Sequence, residues 1–333
     1  IAMLFLFIRG KEDLLLYVAL TAATGLLGNI SMWGYLKGQV EKPVLKELRP
    51  LRHLKETLVY FIPTIATSVY TILDKTMLGW FSGENKSQNG YYEYATGFVN
   101  MAKILIMSFN AVMSARMSYL FGTGRMEEIH KRFQDSLDFV LLMAMPIMLG
   151  LAGIAAQFIP WFLGNGYLPV TFLMYVCSPL VLVVGLSDCI GSQILTPGGK
   201  RAQSGKVIVA GAMVNACLNF LLIPHFAALG AAAASVAAEC FITSLYLWLG
   251  RDFIKLKMLV RYGWRRLVAA VIMLGAVVWT GQFLEQVRGL GPITTFIQIG
   301  AGAMVYFLVL LVMRDPFLYQ YLGKIYRRLT GQP

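Results

Sequence analysis

Nine long apolar runs follow one another along the chain, near 13–36, 58–80, 91–115, 137–159, 168–195, 204–226, 228–249, 267–284 and 292–313. Each is long enough to cross the hydrocarbon of a bilayer as a helix, for which about 20 apolar residues suffice. The loops between them alternate in charge. One set carries Lys37, Lys42, Lys46, Arg49, Arg52 and Lys55, then Arg116, Arg125, Lys131 and Arg132, then Lys200, Arg201 and Lys206. The same set continues with Arg251, Lys255, Lys257, Arg261, Arg265 and Arg266 and closes with Arg314, Lys324, Arg327 and Arg328. The opposite loops hold only Arg9, Lys11, Lys86 and Arg288. Lys75 and Lys103 lie inside apolar runs and belong to neither set. Positive charge collects on the cytoplasmic side of short-looped membrane proteins, so the pattern predicts an all-α, multi-pass integral membrane protein with its C-terminus in the cytoplasm.

Composition agrees. The chain of 333 residues is 57% hydrophobic and only 14% charged, where a soluble domain carries about a quarter charged residues. Its formal charge of +12 is accounted for by the cytoplasmic loops, where anionic headgroups hold it, and nucleic acid is not an expected partner. The outward loops, Ser82–Gly90, Pro160–Tyr167, Pro224–Ala227 and Glu285–Gly291, are too short to fold into a catalytic domain. Cys177, Cys189, Cys217 and Cys240 all fall inside spans without C-x-x-C spacing, and His53, His130 and His225 are scattered. That excludes a zinc pattern and leaves the thiols as buried small apolar groups. Thr196-Pro197-Gly198-Gly199-Lys200 and the following Gly205-Lys206-Val207 have the flavour of a phosphate loop, but the spacing fails and Val207 stands where a hydroxyl is required; the segment is a turn.

Two segments read as basic amphipathic helices at the cytoplasmic interface. In 37–57, Val44, Leu45, Leu48, Leu51, Leu54 and Leu58 recur at helical spacing among basic residues, with a bend or break expected at Pro50. The tail repeats the pattern with Leu318, Tyr321, Leu322, Ile325, Tyr326 and Leu329.

Ionisable residues in mid-membrane face a bundle interior or a watery cavity. Along 58–80, Thr64, Thr67, Ser68, Thr71, Asp74 and Lys75 form a polar stripe; along 91–115, Asn100, Lys103, Asn110 and Ser114 form another. Asp74 and Lys75 can neutralise each other. Lys103 lies twelve residues into its span, about 18 Å deep at ~1.5 Å rise. It either pairs with an acid on another helix, Asp188 or Asp74, or offers its ammonium to an anionic ligand. Asn215, Asn219 and Glu239 lie on a predicted antiparallel hairpin closed by Pro224–Gly230, where an Asn/Glu bond across the hairpin is expected. Arg116 stands where its span meets the cytoplasm, either snorkelling or meeting a phosphate at a cavity mouth. The substrate-binding candidates are therefore Lys103, Asn100, Asn110, Lys75, Thr71 and Arg116, and the ion-coupling candidates are Asp74, Asp188 and Glu239.

Three motifs carry a family resemblance. Tyr70-Thr71-Ile72-Leu73-Asp74-Lys75-Thr76-Met77-Leu78-Gly79, followed by Gly90-Tyr91-Tyr92-Glu93-Tyr94-Ala95, is similar to helices seven and eight of bacterial polysaccharide flippases. Leu195-Thr196-Pro197-Gly198-Gly199-Lys200 leading to Asn215-Ala216-Cys217-Leu218-Asn219 and Pro224 is similar as well, as is Leu229-Gly230-Ala231 with Ser235 and Glu239. On these the chain resembles the multidrug/oligosaccharidyl-lipid/polysaccharide exporter superfamily. The resemblance implies helices 6–14 of a fourteen-helix fold: 1–36 as the end of the N-lobe, including the tail of helix five in Ile1–Ile8; 37–57 as the inter-lobe linker; 58–250 as a six-helix C-lobe; 251–313 as two peripheral helices with their preceding loop; and 314–333 as a cytoplasmic tail. It further implies a transporter, not an enzyme, that moves an undecaprenyl-diphosphate-linked oligosaccharide to the outer leaflet of the bacterial cytoplasmic membrane by alternating access. No cofactor is expected beyond coupling to a proton or sodium gradient, and the expected partners are membrane lipids and a polysaccharide polymerase or assembly complex. Three alternatives stay open: a multidrug or cation extruder of the same superfamily, a membrane polymerase or ligase acting on lipid-linked sugars, and a scaffold in an assembly complex.

Overall fold

In a computed structural model, residues 7, 11–36, 50–81, 83, 87–254 and 256–320 are described, and every long element among them is a helix. The helices are α1 (Leu14–Trp33), α2 (Pro50–Phe81), α3 (Ser87–Gly122), α4 (Met126–Phe162), α5 (Pro169–Cys177), α6 (Leu180–Ile190), α7 (Arg201–Leu249), α8 (Leu256–Arg288) and α9 (Pro292–Val312). A π-helical turn, Gly191–Leu195, follows α6. Among the described residues seven stretches are long and apolar enough to cross a membrane: Leu15–Trp33, Ser87–Gly122, Met126–Phe162, Pro169–Leu195, Arg201–Leu249, Gly263–Arg288 and Pro292–Val312. One of these is two spans, since α7 breaks at Ala227, whose φ of 49° and ψ of −126° are not helical. With the polar helix α2 the nine expected spans are all helical.

Residues 1–55 and 56–333 form two compact units. In the first, α1 is 20 residues long, or about 30 Å at ~1.5 Å per residue, the thickness of a bilayer core. Its few hydroxyls turn back onto its own backbone: Thr21 donates to the Tyr17 carbonyl, Thr24 to Leu20 and Ser31 to Gly28. A helix in hydrocarbon has to satisfy its polar groups in this way.

The second unit is built on doubled-back and closely approaching helices. Gly230 packs on the backbone of Leu222, where an added Cβ would fall 2.5 Å from the carbonyl oxygen. Further from the break, Gly211 meets Ile242 and Ser204 bonds Tyr246. Partners recede as the chain advances, so the halves of α7 are antiparallel, as Pro224–Gly230 predicted. Pro50 is the first described residue of α2, and the bend or break expected there lies outside the described residues. Residues 50–57 run straight into the span; 37–49 and 321–333, which hold most of both predicted amphipathic segments, lie outside the described residues, as does Ile1–Ile8 apart from Phe7. Of the cysteines, Cys177 and Cys189 are buried, whereas Cys217 and Cys240 are exposed on outward helix faces.

Two apolar cores result. One joins α2 through α7, with Leu78, Ile106, Phe133, Leu173 and Ile190 at its centre. The other seats α8 and α9 on α4 through Leu141, Ala269, Met273, Val277, Tyr306 and Leu310. Small residues bring these helices close, as is usual in membranes: an added Cβ would fall 2.9 Å from Val277 at Gly153 and 2.6 Å from it at Gly302. The end of this second core is closed by charge. Arg266, wholly buried, pairs with Asp138 of α4 at 3.0 Å and with Asp315 at 3.2 Å, and also donates to the Asp138 carbonyl at 2.8 Å. Asp315 in turn accepts the backbone N–H groups of Phe317 and Leu318.

This cluster generates a prediction. Arg266→Leu strands the buried Asp315 and the partly buried Asp138 carboxylates and should cost about 3–5 kcal/mol, whereas apolar replacement of all three partners should be close to neutral. Thermal unfolding of the detergent-solubilised full-length protein should show a large drop in Tm for the single variant and substantial recovery for Arg266→Leu/Asp138→Leu/Asp315→Leu; equal losses in both would remove the cluster as a clamp.

Candidate functional site

Helical periodicity aims four polar faces at one interior. On α3, Tyr92, Thr96, Val99, Lys103, Met107, Asn110 and Ser114 recur at three- and four-residue intervals, which places them on one side of the helix. On α7, Ser235, Glu239, Ile242 and Tyr246 do the same; α2 contributes Tyr70 and Asp74, and α6 contributes Val184, Ser187 and Asp188.

Between these faces are two chambers. The first, of about 150 Å³, is lined by Tyr70, Asp74, Lys75, Tyr92, Glu93, Thr96, Val99, Asn100, Lys103, Leu180, Val184, Ser235 and Glu239. The second, of about 280 Å³, is lined by Thr67, Tyr70, Met107, Val184, Ser187, Asp188, Gly191, Ser192, Arg201, Ser204, Ile208, Glu239, Ile242 and Tyr246. They share Tyr70, Val184 and Glu239. The Tyr70 hydroxyl donates to Glu239 Oε1 at 2.7 Å, and this bond forms part of the partition. The second chamber lies toward the basic loops, since Arg201 and Ser204 open α7; the first lies toward the opposite loops, near the α2–α3 connection.

Asp74 is the best-fastened polar group of the first chamber. It is 2% exposed and accepts hydrogen bonds from the Tyr92 hydroxyl at 2.9 Å, Ser235 Oγ at 2.8 Å and Asn219 Nδ2 at 2.5 Å. Asn219 Nδ2 also reaches Asn215 Oδ1 at 3.0 Å, while Asn219 Oδ1 is buried with no hydrogen-bond partner. All of Asp74's donors are neutral, and no lysine or arginine among the described residues lies within ion-pair distance of it. Four oxygen-bearing side chains, those of Asp74, Asn215, Asn219 and Ser235, therefore meet in one buried cluster that could hold a small cation or a proton. No group of three His, Cys, Asp or Glu residues suited to a transition metal occurs among the described residues.

The structure revises several pairings. Asp74 and Lys75 do not neutralise each other: Lys75 pairs with Glu93, because neighbours on a helix point about 100° apart. The expected Asn/Glu bond across the hairpin is absent; Asn219 goes to Asp74 and Glu239 to Tyr70. Lys103 pairs with neither Asp188 nor Asp74. It lines the first chamber with Asn100 and makes no hydrogen bond or ion pair among the described residues. Asn110 is not a chamber wall. Wholly buried, it donates to Asp188 Oδ2 at 2.9 Å and the Gly185 carbonyl at 3.2 Å, and accepts from Gln193 Nε2 at 3.1 Å. Arg116 lines neither chamber but bonds Glu128 at 3.3 Å, since two residues past Ser114 is about 200° round the helix. Thr71 belongs to α2, but its side chain lies outside the described set. Asp188 and Glu239 both line the second chamber. Thr196–Lys200 is a turn, with Gly199 at φ 75° and Lys200 donating to the Leu249 carbonyl.

Sequence reasoning missed Tyr70, Tyr92 and Ser235. For two of them the signal is spacing: Tyr70 lies four residues before Asp74 and Ser235 four before Glu239, each sharing a face with one acid and bonding the other across the helices.

Residues 29–172 match the model of a family described as polysaccharide biosynthesis proteins. The chain is 24% identical over 254 residues to an Escherichia coli K12 protein assigned as an O-antigen transporter, covering 76% of this chain and 60% of that one. It is 23% identical over 279 residues to a Haloferax volcanii protein assigned as the low-salt glycan biosynthesis flippase Agl15, covering 82% and 57%. Among solved structures it shares the fold of the lipid II flippase MurJ in an inward closed conformation, with a TM-score of 0.64, 18% identity, and coverage of 82% of this chain and 58% of that one. These relatives are transporters and flippases, not enzymes. The chain thus spans about three fifths of the length of each.

The geometry separates a brace from a chamber wall. Asn110→Ala should lower stability by about 1–3 kcal/mol, since it leaves Asp188 and Gln193 with unpaired buried groups, whereas Asn100→Ala, on the exposed wall, should leave it unchanged. Thermal unfolding of the two variants side by side measures the difference, and equal behaviour would remove the distinction.

Proposed function

We propose, on the premise that the chain belongs with the polysaccharide flippases of the multidrug/oligosaccharidyl-lipid/polysaccharide exporter superfamily, that it moves an undecaprenyl-diphosphate-linked oligosaccharide from the cytoplasmic to the outer leaflet by alternating access. The observation that carries this reading is Lys103: an ammonium deep in a span, on a chamber wall, that makes no hydrogen bond or close ion pair among the described residues, with Glu239 across the same chamber as the acid that feels its charge. A diphosphate head needs a cation and hydrogen-bond donors in a low-dielectric cleft, and Lys103 and Asn100 of α3 offer them, with Lys75 of α2, paired to Glu93, also lining the chamber. The prenyl tail stays in lipid. With the basic loops cytoplasmic, a membrane potential negative inside favours outward movement of the anionic head by about 2.3 kcal/mol per charge per 100 mV across the full field.

Ion coupling we assign to Asp74. Its carboxylate is held by neutral donors only, and its neighbours supply further oxygens, so a proton or a sodium ion would relieve the buried charge. Asp188 and Glu239 are each held by a single donor, Asn110 and Tyr70. They are weaker candidates for that role.

The cation-extruder reading draws on one observation: Asp74, Glu93 and Glu239 outnumber the two lysines around the first chamber. Against it, each acid is already engaged, Asp74 by three donors, Glu93 by Lys75 and Glu239 by Tyr70. The group in this chamber that makes no hydrogen bond or close ion pair among the described residues is the Lys103 ammonium, which suits an anionic cargo.

In the full-length protein, Lys103→Ala should abolish export of the surface polymer at normal protein levels, and Lys103→Arg should retain part of it. Unimpaired polymer in Lys103→Ala would sink the assignment. Asp74→Asn should blunt the response of translocation to collapse of the proton or sodium gradient; an unchanged response would remove Asp74 as the coupling group.

A further inference from the structure

The second chamber has a chemistry of its own. Asp188 uses Oδ2 to accept from Asn110, and Glu239 uses Oε1 to accept from Tyr70. The other oxygen of each carboxylate has no hydrogen-bond donor among the described residues. Ser192 Oγ, on the same wall, is buried with no hydrogen-bond partner. Arg201, the one cation lining this chamber, donates to Thr196 Oγ1 at 3.3 Å. Tyr246 and Ser204 bond each other at 2.5 Å.

The backbone beneath Ser192 is also unusual. Gly191–Leu195 is a π-helical turn, a rare widening of the helix that is frequent at functional sites. Gly191 leaves room there for the Tyr246 ring, from which an added Cβ would lie 2.9 Å. The turn is pinned from α3, where Ser114 donates to the Ser192 carbonyl at 2.9 Å. A backbone irregularity thus sets a buried, unpaired hydroxyl in the wall of a chamber of about 280 Å³, near the ~300 Å³ lower end of small-molecule sites.

Two acceptor oxygens on opposing helices and one hydroxyl that both donates and accepts match the vicinal hydroxyls of a sugar ring. The acids peculiar to the first chamber, Asp74 and Glu93, are engaged by three donors and by Lys75, whereas Asp188 here keeps one oxygen without a donor among the described residues, which suits a hydroxyl better than a second phosphate. We infer that this chamber is a glycan subsite of the flippase, in which Asp188, Glu239 and Ser192 hydrogen-bond the sugar nearest the diphosphate while Lys103 holds the diphosphate in the adjoining chamber. The inference rests on the lipid-linked oligosaccharide reading above. It makes Asp188 and Ser192 determinants of glycan recognition, and it places the Tyr70–Glu239 bond between sugar and diphosphate.

The test compares two probes on the full-length protein in lipid nanodiscs: undecaprenyl diphosphate, and undecaprenyl diphosphate carrying one N-acetylhexosamine. The wild type should bind the sugar-bearing probe about tenfold tighter, as one or two added hydrogen bonds allow. Ser192→Ala and Asp188→Asn should erase most of that increment and leave affinity for the bare diphosphate unchanged. Lys103→Ala should weaken both probes alike. Ser192 Oγ makes no protein hydrogen bond, so its alanine variant tests the subsite without threatening the fold. Equal affinity of the wild type for the two probes would overturn the inference, as would a Ser192→Ala variant that keeps the full increment or loses both probes together. If Lys103→Ala instead leaves both affinities intact, the diphosphate assignment fails, while the Ser192 comparison still judges the glycan subsite.

Discussion

Hydrocarbon offers no hydrogen bonds, and that constraint orders everything in this protein. Each polar side chain carried into the bilayer has to find its partner inside the helix bundle. Asp74 shows the consequence most fully: one carboxylate ties α2 to α3 through Tyr92 and to both halves of the α7 hairpin through Asn219 and Ser235. Asn110 does the same for α6, holding Asp188, the Gly185 carbonyl and, through Gln193, the π-helical turn. Arg266 does it a third time where α8 and α9 meet α4. Apolar contacts supply area in this unit, but lipid is as apolar as leucine, so close packing and these polar ties select the arrangement of helices.

Two groups that line the chambers lack such a tie and mark the interior that can take a ligand. Lys103 in the first chamber makes no hydrogen bond or close ion pair among the described residues, and Ser192 Oγ in the second is buried without a hydrogen-bond partner. The chambers adjoin across Tyr70, Val184 and Glu239, so a charged head and a hydroxylated ring can be held side by side. An anionic centre and a polyol make opposite demands, one for cations and the other for acceptors. A divided cavity meets both where a single uniform one could not.

The architecture was largely legible in the chain. The nine spans and the turn at Thr196–Lys200 follow from apolar length and glycine placement, and the reversal near Ala227 from Pro224 and Gly230. The polar stripes on α2 and α3 were legible as faces, and so was the isolation of Lys103 from the topological charge pattern. Asn110 and Arg116 were misassigned because a stripe drawn along a sequence does not distinguish a side chain on a cavity wall from one packed behind it or turned past it. Tyr70 and Tyr92 escaped notice because a tyrosine in an apolar run looks the same whether its hydroxyl reaches an interface or a buried carboxylate.

The sequence by itself determined which segments are helical, which of them are long and apolar enough to cross a membrane, and which face of each helix is polar. These follow from length, periodicity and charge, all local to the chain. Only the tertiary structure decided that Asp74 meets Asn219 and not Lys75, that Glu239 meets Tyr70 and not its hairpin partner, and that Lys103 is left over. The physical reason is that periodicity fixes a direction around one helix axis. A partner is chosen by the rotation, depth and crossing of two helices together, and those are set by the packing of every side chain between them.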